Sequence, residues 1–231
     1  MSPDLANAMP PTPAPRPVPG GPAIGRPHRL SHHLLDQFRL PRGPLGRLAG
    51  HIMSTRASNV QRSQWTVDLL ELEPTHRVLE IGFGPGVALE RVAGEVTEGE
   101  IVGLDHSATM IDVAMKRNAS TILDGRMQLL EGRAEEPPIG LGTFDRIFAV
   151  NVWQFWGPKQ DAVIADLTSR LHQGGILALT VQPRNRGATN SDAVAAGHQL
   201  MAQFEAAGLT DHSVELLDLD PVSAVCVRGR R

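Results

Sequence analysis

The sequence predicts an α/β fold, a three-layer sandwich in which helices cover both faces of a mostly parallel sheet, preceded by an N-terminal helical lid. Three observations predict it. Short apolar runs alternate with segments of helical period from residue 73 onward. One run, "RVLEI" of "RVLEIGFGPG" (Arg77 to Gly86), passes directly into a glycine-rich loop and then into a helical pattern. The last two runs, 213–218 and 223–228, are separated by a loop around Asp220 and Pro221 that is too short for a helical crossover. They therefore form an antiparallel hairpin at a sheet edge.

The elements follow in order. From Met1 to Pro27 nine residues are proline and few are large and apolar. Such a tail cannot bury enough surface to offset its ordering entropy, and 1–27 is set apart from the fold. Residues 28–72 make up the lid. Within it short helical patterns are broken at Pro41, Gly43 and Pro44, and Leu45, Leu48, Ile52 and Met53 share one helical face. A further helix over 60–72 ends before Pro74. The main domain, 73–231, then carries strands at 77–81, 101–105, 127–131, 145–150 and 175–182 ahead of the hairpin. Helices fit between them at 87–94, 107–117, 160–171 and 192–207.

Composition narrows the function classes. With 231 residues, 41% of them apolar, the chain can bury a substantial core. No run reaches the length of about 18 apolar residues that a membrane helix needs, and no apolar h-region opens the chain, so a cytoplasmic protein is expected. The lone Cys226 excludes an internal disulfide and a cysteine-based metal framework. Residues 1–62 carry a net +6 and the remainder −9. The basic residues of the first part are scattered among prolines and apolar residues, which reads as a solvated arm more than as a nucleic-acid or lipid surface.

The glycine loop carries the chemistry. Gly82, Gly84 and Gly86 sit between a strand and a helix, where a backbone turns sharply and a ligand approaches closely. A dinucleotide site wants G-x-G-x-x-G, whereas the spacing here is G-x-G-x-G and residue 87 is valine. Glu80 would repel a pyrophosphate but attract a ligand bearing an ammonium group and a sulfonium. In "IVGLDHSATM" a second apolar strand ends at Asp105, nineteen residues after Gly86. An acid there is placed to accept hydrogen bonds from ribose hydroxyls. It could equally cap the helix that begins near Ser107.

The segments "VLEIGFGPG", "GLDHSATM", "LLEGRAEEPP", "FDRIFAVNVWQFW" and "LHQGGILALT" together resemble, in order and spacing, the class I S-adenosylmethionine-dependent methyltransferases, particularly their small-molecule group. The resemblance covers about residues 60–231. It implies a seven-stranded sheet in the order 3-2-1-4-5-7-6 with strand 7 antiparallel. It also implies S-adenosylmethionine as cofactor and S-adenosylhomocysteine as product. Glu80 would face the methionyl amino group, while Gly82, Phe83, Gly84 and Gly86 wrap the donor by backbone. Asp105 would hold the ribose, and His106 and Met110 would border the adenine. The family often has an aspartate where this chain has Arg133, which leaves adenine contacts to Ala134 and Glu135. Asn151 would close the site by its carbonyl.

Methyl transfer from a sulfonium is an in-line displacement of an already activated group, so much of the acceleration comes from alignment. A base is needed only if the nucleophile arrives protonated, and the catalytic residue is left unassigned. His51 on the lid is the one histidine to test as a base. In the "NVWQFWGP" segment Val152 and Trp153 stand where the resemblance would lead base N-methylating enzymes to have Pro-Pro, which disfavours nucleic acid as acceptor. Trp153, Phe155 and Trp156 could line an apolar acceptor pocket, although aromatic residues at such spacing more often belong to a core, and Trp153, Trp156 and Met53 are the acceptor-pocket residues expected. Arg62 and Trp65 would help the lid close, although helix packing explains Trp65 as well. No metal site is expected from the histidine spacing, and the oligomeric state is left open, with a homodimer as one option. The reading is methyl transfer to an oxygen, nitrogen or carbon nucleophile of a small, partly apolar molecule. Two alternatives stand beside it: a non-catalytic S-adenosylmethionine-binding regulatory or partner protein, and a nicotinamide-dependent oxidoreductase, against which Glu80 and the glycine spacing argue.

Overall fold

A computed structural model describes residues 57–152, 155 and 159–231, together with position 43. The tail over 1–27, most of the lid, His51, Met53, Trp153 and Trp156 lie outside the described residues. The chain runs α1 (Ala57–Asp68), β1 (Arg77–Ile81), α2 (Val87–Glu95), β2 (Glu100–Asp105), α3 (Ala108–Arg117), α4 (Ala119–Leu123), β3 (Met127–Glu131), β4 (Phe144–Val150), α5 (Gln160–Ser169), β5 (Leu171–Val181), α6 (Asn190–Ala206), β6 (Thr210–Leu217) and β7 (Ala224–Arg230).

The seven strands form one sheet in the order β3-β2-β1-β4-β5-β7-β6. β1 to β5 pair in parallel, and β7 runs antiparallel to both of its neighbours. Both the predicted order and the reversed strand are borne out. β1 is central, with β2 on one side and β4 on the other, so the chain reverses its direction of travel across the sheet at β1. Ligands in open α/β sheets bind beyond the carboxyl ends of strands at that point.

Alternation along β1 decides which side chains face which layer, because successive residues of a strand point to opposite faces. Leu79 and Ile81 join a core with Ile147, Leu179 and the α5–α6 residues Ile164, Leu167, Leu200 and Phe204. Val78 joins the opposite core with Phe148, Ala178, Val67 of α1 and Leu89 and Val92 of α2. By the same period Glu80 points to the α1–α2 side. Trp65 packs against that second core, which gives it a structural role in α1. Cys226 is a fully buried core residue, and burial pushes its thiol up to about 12.

Boundaries differ from expectation in a few places. α1 begins at Ala57 and ends at Asp68, earlier than the 60–72 span. β5 begins at Leu171 instead of 175, because its pairing with β4 steps from Phe144↔Leu171 to Arg146↔Ile176 and absorbs the glycines of "LHQGG" as an irregularity. α3 starts at Ala108 with Ser107 as its N-cap, whose side chain accepts from the Met110 N–H. The short α4 was not anticipated. No described helix is long and apolar enough to cross a membrane.

Candidate active site

The loop after β1 is tied down from two sides. Gly82 donates its N–H to the Leu104 carbonyl at 2.7 Å, and Gly84 donates to Asp105 Oδ2 at 2.8 Å. Gly82, Gly84 and Gly86 all have φ between 53° and 75°, a region that L side chains populate at a cost. Their surroundings differ, and so do their roles. A Cβ on Gly82 would meet Val152 Cγ2 at 2.5 Å, and one on Gly86 would meet Asn118 Nδ2 at 2.6 Å and Ala114 Cβ at 2.9 Å. A Cβ on Gly84 would meet nothing within 4 Å. Gly86 is thus required by the close packing of α2 on α3, while Gly84 presents bare backbone to open space.

Glu80 is only 3% exposed, and its Oε2 has no hydrogen-bond partner among the described residues. Burial, reinforced by the Asp105 charge, raises its carboxyl well above the usual range. A buried carboxylate with an orphaned oxygen is costly unless something positive or proton-bearing reaches it. Asp105 is 5% exposed and better served: Oδ2 accepts from Gly84 and Oδ1 from the Ser107 N–H at 2.9 Å. Burial raises its pKa, and these backbone donors oppose the rise. The Asp105 carboxylate thus braces both the loop and the entry to α3 and retains lone pairs.

The other predicted donor residues fall around this point. His106 lies beside Asp105, with 3.6 Å between its Nδ1 and Oδ1. Phe83 and Met110 are buried, Phe83 within the α1–α2 core, so Phe83 offers the site only its backbone. Ala134 is buried. Arg133 is half-exposed and lies 3.9 Å from the sheltered Glu135 carboxylate, too far for a hydrogen bond, and Glu135 Oε2 has none among the described residues. Asn151 directly follows β4, at φ 57°. Its N–H donates to the Thr180 carbonyl at 2.8 Å, and its Oδ1 accepts from the Gln182 N–H at 2.6 Å. Asn151 therefore clamps the ends of β4 and β5 together.

Beyond that clamp opens a cavity of about 460 Å³ between the ends of β4 and β5 and helix α6, lined by Asn151, Val152, Val181, Gln182, Ala196 and Gln199 among others. Val152 faces Gly82 on one side and the cavity on the other, so the cavity adjoins the glycine loop. Sequence reasoning missed Gln182, Arg184 and Asn59, which meet Arg62 here. Arg62 donates from Nη1 to Gln182 Oε1 at 2.5 Å and from Nη2 to Asn59 Oδ1 at 3.0 Å. Arg184 Nη2 donates to the same Asn59 Oδ1 at 2.5 Å and to Gln182 Oε1 at 3.2 Å. The polar run "VQPRNR" at the end of an apolar strand was the available signal.

The sheet order, the bare loop at its switch point and an acid on each of the two strands flanking that loop define a protein built to hold a nucleoside ligand with a cationic extension. Comparisons with known proteins agree. A methyltransferase domain family matches residues 78–175. The uncharacterized methyltransferase YdaC of Bacillus subtilis (strain 168) is 29% identical over 184 residues, 80% of this chain and 98% of that protein. The trans-aconitate 2-methyltransferase of Azoarcus sp. (strain BH72) is 30% identical over 128 residues, 54% of this chain and 47% of that one, so the match spans about half of that relative. The crystal structure of the N-methyltransferase NodS from Bradyrhizobium japonicum WM9 with S-adenosyl-l-homocysteine superposes with a TM-score of 0.64 at 14% identity, over 87% of this chain and 97% of NodS. Residues 78–175 are thus a methyltransferase domain in a fold shared with NodS, and together these findings support a class I S-adenosylmethionine-dependent methyltransferase, an enzyme whose cofactor is S-adenosylmethionine.

Proposed function

We propose that this enzyme methylates an oxygen, nitrogen or carbon nucleophile of a small, partly apolar molecule bound in the cavity beside Asn151. The observation that carries this reading is the cavity's place. It opens at the carboxyl end of the sheet, shares Val152 with the glycine loop, and its size falls within the range of about 300–1,000 Å³ usual for small-molecule sites. Val152, Val181, Ala195 and Ala196 supply apolar wall, and Gln182, Asn185 and Gln199 supply amides.

The donor, when bound, supplies a methyl group already activated on sulfur. In this reading Glu80 takes its ammonium, Gly82, Phe83, Gly84 and Gly86 enclose it by backbone, and Asp105 takes the ribose hydroxyls with its remaining lone pairs. His106, Met110, Ala134 and Glu135 border the adenine, and Arg133 holds Glu135 from outside. Asn151 keeps the two strand ends in register so that donor and acceptor share one axis, which is the alignment that the displacement requires. In the same reading residues 28–72 serve as the lid, with Trp153, Trp156 and Met53 as acceptor-pocket residues and His51 as the candidate base; of this segment α1 is described, and its Val67 packs in the core on the sheet.

Incubation with methyl-labelled donor and a metabolite extract tests the proposal. A labelled small product is expected from the enzyme, and none from Ala196→Trp, which fills the cavity while leaving S-adenosylhomocysteine binding intact. Undiminished product from that variant would remove the cavity from the reaction.

A further inference from the structure

Helix α1 buries an unusual row. Asn59, Arg62 and Thr66 recur at helical spacing and are all buried. Thr66 is satisfied by the Arg62 carbonyl at 2.9 Å and by the Thr180 hydroxyl at 2.8 Å. Arg62 is not: it is 4% exposed, and among the described residues its Nε has no hydrogen-bond partner and no carboxylate lies within ion-pair distance of it. Its acceptors are the neutral amide oxygens of Gln182 and Asn59. The charge bearing on it is that of a second cation, Arg184, and burial together with that charge lowers its pKa to about 9. It remains charged at neutral pH, and a buried cation lacking a counter-charge is strongly unfavourable.

Both amide-sharing partners lead to the cavity. Gln182 and Arg184 line it directly, and Arg184 is exposed on its wall. Building on the reading of this cavity as the acceptor site, we infer that the acceptor carries a carboxylate, received at the cavity wall by Arg184 and Gln182 with Arg62 behind them as a positioning residue that supplies the compensating charge. Arg184 Nη2 is already shared between Asn59 and Gln182, so a carboxylate is held here by single charge-assisted hydrogen bonds and by the field of the two guanidiniums. A single negative charge matches the one guanidinium buried behind this wall among the described residues, that of Arg62. A doubly charged phosphate fits less well, because the cavity wall also carries Asp192, whose carboxylate is held ionised by the Thr189 N–H and hydroxyl. The methyl-accepting atom then lies toward Val152 and the loop, with the carboxylate at the α1 end.

The test uses the full chain saturated with S-adenosylhomocysteine, with butyrate and its neutral amide, butyramide, as calorimetric probes. Butyrate is expected to bind and butyramide to bind about tenfold more weakly or not at all. Arg62→Gln and Arg184→Gln should each weaken butyrate by about tenfold or more, with Arg62→Lys retaining part of the affinity. S-adenosylhomocysteine affinity, which reports the fold and the donor site, should be unchanged in all three. Equal binding of butyrate and butyramide, or wild-type butyrate affinity in both glutamine variants, would overturn the inference. Ala196→Trp separates it from the acceptor reading. Loss of butyrate binding there supports both, whereas butyrate binding that survives Ala196→Trp but falls in Arg62→Gln detaches the anion site from the cavity and overturns the inference as an acceptor contact.

Discussion

Gly84 and Asp105 are joined by a hydrogen bond of 2.8 Å from the loop backbone to the carboxylate, so the bare loop after β1 and the acid at the end of β2 are one structural unit. Asp105 also accepts from the Ser107 N–H, and the same side chain therefore sets the start of α3. Replacing Asp105 with Ala should cost both loop order and donor affinity, by about 1–3 kcal/mol for a buried charge-assisted acceptor. Calorimetry with S-adenosylhomocysteine and thermal unfolding read the two losses, and both should fall together. A variant that lost donor affinity with an unchanged Tm would mean that the brace is dispensable.

The three loop glycines should respond differently to the same substitution. Gly84→Ala places a methyl where no atom lies within 4 Å. Its stability cost is confined to the positive φ, about 1 kcal/mol or somewhat more, yet it should sharply weaken donor binding. Gly86→Ala meets Asn118 and Ala114 at under 3 Å, so its damage should appear as a lower Tm before any donor is added.

Glu80→Gln separates binding from folding. The carboxyl is buried with an orphaned oxygen, so a neutral amide of the same shape should leave the Tm of the donor-free enzyme equal or higher. Affinity for S-adenosylhomocysteine should fall by about 1–3 kcal/mol, the range for losing a hydrogen bond to a charged group. A lower Tm with unchanged affinity would make Glu80 structural.

The pH dependence has a definite sign. Burial raises both Glu80 and Asp105. Asp105 has backbone donors that favour its ionised form, and Glu80 Oε2 has none among the described residues, so Glu80 is the group that keeps its proton to higher pH. In the unfolded chain both groups ionise in the ordinary carboxylate range. Above that range the donor-free folded enzyme holds the extra proton, and its stability falls as pH rises until Glu80's raised value is passed. Donor binding runs the other way, because an ammonium ligand needs Glu80 ionised: affinity should tighten with pH up to that value and level off above it. Calorimetry in two buffers of different ionisation enthalpy should detect net proton release below it and none above.

The central sheet was legible because β1, β2, β4 and β5 are buried on both faces and read as continuous apolar runs. The reversal at β7 was legible because the β6–β7 connection is too short for a helix. Less legible were the edges: the apolar pattern starts the strand only at residue 175, and the pairing of Leu171 with Phe144 makes "LHQGG" the start of β5. In the site, Glu80 and the glycines announced themselves locally. The Arg62–Gln182 contact joins residues 120 apart, and nothing in the spacing of either segment reports that they meet. Gly86 carried a loop-glycine signature for a ligand, while the constraint at its Cβ comes from α3 packing, which periodicity does not encode.

The central claim is that the buried Glu80 carboxylate selects a cationic donor, and its most direct test is a double-mutant cycle between Glu80 and the ligand's amino group. S-adenosylhomocysteine and its deaminated analogue are titrated by calorimetry into the wild-type enzyme and Glu80→Gln. The wild type should prefer S-adenosylhomocysteine, the variant should lose most of this preference, and the analogue should bind both proteins alike, a coupling of about 1–3 kcal/mol. An undiminished preference for S-adenosylhomocysteine in Glu80→Gln would contradict it.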